Sequence, residues 1–197
     1  MVQGHSTFVK IPRGRIGVLI GTNGTVRELI EKKLSVNLEI DSQSGDVTIT
    51  VNEAVNDPSL LFKAKDIVTA IGRGFSPENV LKLIENEEDI LEIIDLREIF
   101  GRSESDISRI KGRIIGREGK TRRIIEEMTE TVVSVYGHTV SMIGGIEQVD
   151  IAREAIGMLI KGSQHKTVYR FLQRKRHELK MRSLELWQSE TPRDLGV

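Results

Sequence analysis

Apolar residues in the first third of the chain alternate between two periods. Residues 25–34 place Val26, Leu29, Ile30 and Leu34 three or four positions apart, the spacing of one helical face. Thr25-x-x-Glu28 at the start of this run reads as a capping box. Before it, Thr7–Ile11 reads as a strand ended by Pro12, and Arg13–Ile20 as a short helix leading to Gly21. After it come two strands, Val36–Ile40 and Val47–Val51, joined by the turn-rich stretch Asp41-Ser42-Gln43-Ser44-Gly45-Asp46. Beyond Asn56-Asp57-Pro58 a helix runs from about Ser59 to Arg73, with Leu60, Leu61, Ala64, Ile67, Val68 and Ile71 apolar and Gly74 as its stop. The order is βααββα.

The same order returns further on. Ser76-Pro77 opens an acidic helix to about Asn86, with serine as N-cap and proline at the first helical position. Strand Ile90–Leu96 follows, then helices Ser105–Ile115 and Thr121–Thr129, strands Val132–Tyr136 and Thr139–Ile143, and helix Ile146–Ile160 ended by Gly162. An extra helix, about Lys166–Leu186, carries Val168, Phe171 and Leu172 on one face, a stripe able to dock on the second unit. From Ser189 the chain reads as frayed.

The repeat is visible residue by residue. A shift of 95 aligns Gly17, Ile20, Gly21, Gly24, Arg27, Ile30 and Glu31 with Gly112, Ile115, Gly116, Gly119, Arg122, Ile125 and Glu126. Each copy is a G-x-x-G loop entered from an apolar turn and left through an amphipathic helix, the signature of a KH nucleic-acid-binding domain. Two glycines permit a tight turn and remove Cβ atoms that would hold a phosphate away. The helix that follows presents N–H groups and its positive dipole end. The fold class is therefore α+β: two tandem type I KH domains, βααββα each, with a C-terminal helix. The expected divisions are 1–75, an acidic connector 76–89, 90–162, and a basic helix and tail 163–197.

Charge changes the picture by its distribution. The 29 acidic and 29 basic residues cancel. Acid gathers at Glu85, Glu87, Glu88, Asp89, Glu92, Asp95 and Glu98, and base around the second loop and along the C-terminal helix. The candidate RNA-binding residues of the second unit are Arg113, Gly116, Arg117, Glu118, Gly119, Lys120, Arg122 and Arg123. In the first they are Gly21, Thr22, Asn23, Gly24 and Arg27. Arg170 and Arg174 join them from the C-terminal helix, which, with Arg176, is expected to extend the positive track beside the cleft. Thr22-Asn23 is neutral, with only Arg13, Arg15 and Arg27 nearby, so the second domain is expected to dominate affinity.

Other chemistries find little support. There are no cysteines. No apolar run reaches the length of a membrane span, and a soluble, cytoplasmic protein is expected. His5, His138, His165 and His177 lack ligand spacing, and no catalytic arrangement, cofactor or metal site is expected. Gly119-Lys120-Thr121 resembles the end of a phosphate-binding P-loop, but that motif needs glycine at 114, where Ile stands. A P-loop-like nucleotide-binding protein is the alternative from another class, and an adaptor in RNA decay or mRNA regulation the alternative among RNA binders.

The run Gly116-Arg117-Glu118-Gly119-Lys120-Thr121-Arg122 resembles the second KH domain of the partner of Nob one family. Ala152-Arg153-Glu154-Ala155-Ile156, Leu159-Ile160-Lys161-Gly162 and Lys166-Thr167-Val168-Tyr169 resemble it too. The usual KH pattern has an apolar residue third after the second glycine; here it is Arg27 and Arg122. The resemblance implies a non-enzymatic RNA-binding factor of small ribosomal subunit assembly. Its partners would be the 3′ region of small-subunit rRNA, the endonuclease that trims it, and an initiation factor subunit. Eukaryotic members have a degenerate first G-x-x-G and a long N-terminal extension. Gly21 and Gly24 are intact here and the first strand begins early, so the resemblance is to the archaeal branch.

Overall fold

The structure is a computed structural model describing residues 6–51 and 57–189, with side chains to 182. His5, Asn56, the side chain of Leu186 and the tail beyond Ser189 lie outside the described residues. The first unit is β1 (Ser6–Lys10), α1 (Arg13–Ile20), α2 (Thr25–Leu34), β2 (Val36–Ile40), β3 (Asp46–Val51) and α3 (Pro58–Gly72). Helix α4 (Pro77–Glu85) follows. The second unit is β4 (Asp89–Asp95), α5 (Leu96–Phe100), α6 (Glu104–Ile115), α7 (Lys120–Thr129), β5 (Val132–Tyr136), β6 (Thr139–Gly145) and α8 (Ile146–Ile160). Helix α9 (His165–Ser189) is the last element among the described residues. Each unit has one antiparallel sheet, ordered β1-β3-β2 and β4-β6-β5.

Local chemistry explains most boundaries. Asp57 accepts the Ser59 N–H at 2.9 Å and Pro58 stands at the first position, so α3 starts there. The β2–β3 turn is held by Asp41, whose carboxylate accepts from the Gln43 N–H and the Ser44 hydroxyl, each at 2.8 Å. Two expectations are corrected. Thr25 does not cap α2: Gly24, at φ 84°, is the N-cap, and no side chain bonds there. Chain order in the second unit includes one more element, α5, because Asp95 ends the strand and accepts the Arg97 N–H at 2.8 Å, nucleating a turn.

The first core joins Leu19, Ile30, Leu38, Ile49, Ile67 and Ile71 to Val80 and Leu83 of α4. The acidic helix is thus packed through its apolar face and solvated through its carboxylates. Face alternation divides the second sheet. Val133, Val140 and Met142 face the second core, while Leu91, Val132 and Ile143 pack against the first. Each large side chain so buried contributes about 1.5–3 kcal/mol. Gly74 at φ 99° completes the joint, for a Cβ there would lie 2.8 Å from both Ser134 Oγ and Tyr136 Cβ. Ser134 Oγ donates to the Arg73 carbonyl at 2.9 Å. Arg15 donates from Nε to the Ile71 carbonyl at 2.7 Å and from Nη2 to the Phe75 carbonyl. Its guanidinium also lies 5.8 Å from the Tyr136 ring centroid.

Helix α9 docks on α7 and α8 with Val168, Phe171 and Leu172 in the second core. Thr121 faces Tyr169 and Met128 faces Arg176, seven residues further on each helix, so α9 runs parallel to α7.

Candidate nucleic-acid interface

The two loops have the same backbone. Gly21 (φ 74°, ψ 175°) matches Gly116 (72°, 177°), Asn23 (53°, 27°) matches Glu118 (54°, 29°), and Gly24 (84°, 3°) matches Gly119 (76°, 11°). Positive φ at Gly21 and Gly116 is also a matter of space. A Cβ on Gly21 would stand 2.5 Å from Val26 Cγ2, and one on Gly116 would stand 2.2 Å from Thr121 Oγ1. The Gly24 and Gly119 N–H groups close each turn on the Gly21 and Gly116 carbonyls at 3.3 Å. Gly119 has open space where a Cβ would be, and it caps α7 without any side-chain bond. Both helix N-termini therefore present dipole and backbone donors unblocked by a capping side chain.

Side chains distinguish the loops. Val18, Thr22, Asn23, Thr25 and Glu28 of the first correspond to Arg113, Arg117, Glu118, Lys120 and Arg123 of the second. Arg117, Lys120 and Arg123 are exposed at the second loop. Arg117 and Lys120 have no hydrogen-bond or ion-pair partner among the described residues, and Arg123 Nη2 donates to the Glu118 carbonyl at 2.9 Å, bracing the turn. At the first loop Arg13 is exposed, whereas Arg15 is engaged in the joint between units. Half-buried Ile115 and Ile124 keep apolar surface beside the second loop.

Three sequence candidates have other partners. Arg27 Nε pairs with Glu31 Oε1 at 3.0 Å, and Arg122 Nε with Glu126 Oε2 at 3.7 Å. The same carboxylates reach the following strand: Glu31 accepts the Leu38 N–H at 2.8 Å and Glu126 the Val133 N–H at 2.9 Å. The arginine that departs from the usual KH pattern thus belongs to a clasp built twice. Arg113 Nη2 donates to the Ser163 carbonyl at 2.7 Å, tying α6 to the turn before α9.

Arg170 is exposed beside Tyr169, close to the loop end of α9. The rest of that helix continues along α7. Arg174 pairs with Glu178 at 3.7 Å, and Arg176 Nη1 lies 3.6 Å from Met128 Sδ, about 10 Å along α9 from Tyr169. Arg176 therefore lies toward the end of α7 away from the second loop, and Arg174 is paired within α9. The P-loop alternative fails on geometry: Thr121 is 3% exposed and its hydroxyl lies 3.0 Å from Tyr169 Oη, turned from any ligand above the loop. The acidic residues Glu85, Glu87, Glu88, Asp89 and Glu130 line a separate cleft of about 830 Å³, whose sign repels phosphate. Among the described residues no carboxylate–histidine group could hold a metal ion, and no helix is long and apolar enough to cross a membrane.

This geometry defines a protein with two tandem KH domains. Residues 90–177 match a family model described as the eukaryotic type KH-domain (KH-domain type I), and residues 8–86 match the Krr1 KH1 domain. Over 187 residues the chain is 49% identical to a KH domain-containing protein of Methanocaldococcus jannaschii, covering 95% of this chain and 81% of that one. It is 26% identical to the pre-rRNA-processing protein PNO1 of Candida albicans, covering 85% of this chain and 61% of that protein's length. A crystal structure of Dim2p from Pyrococcus horikoshii is 49% identical with a TM-score of 0.78, covering 86% of this chain and 99% of that one. A chain of the a/eIF2alpha–aDim2p–rRNA complex from the same organism is 47% identical with a TM-score of 0.83, covering 90% and 97%. The chain belongs to the partner of Nob one family of KH-domain ribosome-assembly factors, in its archaeal form.

Proposed function

We propose that this protein is a non-enzymatic, cytoplasmic RNA-binding factor of small ribosomal subunit assembly that holds single-stranded RNA near the 3′ end of small-subunit rRNA. One observation carries the reading. Two G-x-x-G loops share one backbone conformation before uncapped helix N-termini, and the second adds exposed Arg117, Lys120 and Arg123. Backbone and cations would hold phosphates, and the apolar surface at Ile115 and Ile124 would receive bases. Gly116, Arg117, Gly119, Lys120 and Arg123 would form the main site, with Glu118 shaping the turn and Arg170 beside it. Gly21, Thr22, Asn23 and Gly24 would form a second, less cationic one. Arg27, Arg113 and Arg122 would support these loops from behind.

The rRNA and the initiation factor subunit in the Pyrococcus complex point to the partner classes proposed here. The endonuclease that trims the rRNA is proposed as a third by family resemblance. Residues 1–75 and 90–162 would act as the RNA-holding units, 76–89 as the connector, and 163–197 as the basic extension. The test is equilibrium binding of the full chain to a synthetic RNA carrying the 3′-terminal small-subunit sequence, against a scrambled RNA of equal length. Tighter binding of the first, weakened by salt, is expected. Equal binding of both would overturn the rRNA assignment.

A further inference from the structure

We propose that Tyr169 is a positioning residue for the second loop, so that helix α9 sets how firmly this loop holds RNA. The proposal rests on the reading of that loop as an RNA-phosphate site. Tyr169 Oη lies 3.0 Å from Thr121 Oγ1. Thr121 is buried, and its hydroxyl is flush against the first loop glycine, where a Cβ on Gly116 would stand 2.2 Å from it. The hydrogen bond from α9 to Thr121 therefore meets a steric contact between Thr121 and the turn at Gly116. Two more bonds tie the same region down. Arg113 Nη2 donates to the Ser163 carbonyl at 2.7 Å, and His165 Nε2 donates to the Arg113 carbonyl at 2.9 Å.

The first repeat supplies the control. Its loop has the same backbone, yet Val18 and Val26 stand where the second has Arg113 and Thr121. Val26 makes the close approach to Gly21 with a methyl group, so packing alone suffices to shape a loop of this kind. The second loop has replaced two valines by polar groups, and both find partners in residues 163–169. A buried hydroxyl needs a hydrogen-bond partner. Without Tyr169 Oη, Thr121 would have to turn toward water or another acceptor, and Gly116 is in its way. The position of the turn is thereby coupled to the seating of α9.

The experiment uses the full chain and the synthetic 3′-terminal RNA. Tyr169→Phe keeps the ring and deletes the hydroxyl. It should weaken RNA binding roughly threefold to tenfold, the loss expected of about one net hydrogen bond. Thr121→Val, which restores the methyl contact of the first repeat, should bind within about twofold of the unaltered chain, as should Thr121→Ser, and Tyr169→Phe added to Thr121→Val should cost nothing further. In a chain already carrying Arg117→Asp and Glu118→Asp, Tyr169→Phe should add nothing, a readout that a purely structural role would not give. Unchanged affinity in Tyr169→Phe overturns the proposal, as does a Tyr169→Phe loss that persists in the Thr121→Val chain. A loss that persists in the loop-altered background overturns it too, marking a global effect. If the unaltered chain fails to bind the RNA, the functional reading falls and this proposal falls with it; unaltered binding with no Tyr169 effect removes only the proposal.

Discussion

Glu126 accepts the backbone N–H of Val133 at 2.9 Å, and the first repeat builds the same contact between Glu31 and Leu38 at 2.8 Å. A helix is thus tied to the strand that follows it, with Arg122 or Arg27 paired to the carboxylate one turn before it. Glu126→Ala should destabilise the second domain by about 1–3 kcal/mol, because a part-buried N–H is left without its acceptor. Glu126→Gln, which retains an acceptor, should cost less. Thermal or denaturant unfolding of both variants checks the order, and equal losses would show that the hydrogen bond is not the source.

Loop charge should rank the two domains. Arg117→Asp with Glu118→Asp removes an exposed cation beside the turn, and should weaken RNA binding on the order of tenfold or more at low salt and reduce the salt slope. Thr22→Asp with Asn23→Asp should matter less, since that loop has no cation at the corresponding positions. Filter binding at several salt concentrations measures both. Equal losses would mean that the loops share the load.

The joint between the units is sensitive at one glycine. Gly74→Ala demands a left-handed alanine whose Cβ meets Ser134 and Tyr136, so it should destabilise the chain by about 1–3 kcal/mol and blur a single unfolding transition into two. Calorimetry resolves the transitions. An alanine variant melting like the unaltered chain would show that the joint can shift at little cost.

Acid should loosen the start of α6. The Ser103 hydroxyl, bonded to Asp106 Oδ2 at 2.7 Å, and then the nearby Arg109, hold the Asp106 carboxyl below its ordinary value. A depressed folded-state pKa stabilises above the unfolded value and loses that contribution as pH falls through the folded one. Ser103→Ala should raise the Asp106 pKa toward the ordinary 3.8. Carboxyl-resolved NMR titration follows this directly; an unmoved titration would assign the shift to Arg109 instead.

The βααββα order could be read from chain periodicity because each face is committed to a core: Val26, Ile30 and Leu34 on α2 and Val47 and Ile49 on β3 recur at helical and strand spacing. Glycine spacing located both loops because close approach leaves no room for a Cβ at Gly21 and Gly116. Charge was harder. Arg27, Arg113 and Arg122 sit beside the glycines in sequence, but their partners are Glu31, Ser163 and Glu126, and no local rule says whether an arginine faces a phosphate or a carbonyl. The repeated Glu31 and Glu126 were a usable signal for the clasp. Thr25 lost its cap to Gly24 because a left-handed residue fixes the entry of the helix. That Arg176 meets Met128 could not be read from the sequence, because composition gives a helix's charge but not its direction across the fold.

The joint also bears on the entropy of holding one strand at two points. Ser134, Tyr136, Arg15 and Gly74 fix one sheet against the neighbouring unit, so the two loops behave as parts of a single body and not as beads on a tether. If both loops hold RNA as proposed, then once one had captured a strand the other would meet it at a high local concentration set by geometry. Two individually modest grips would then multiply into one strong attachment, but only for an RNA whose intervening nucleotides span the distance between the loops. On that reading the close approach of Gly74 to Ser134 and Tyr136 would help decide which RNAs fit both loops at once.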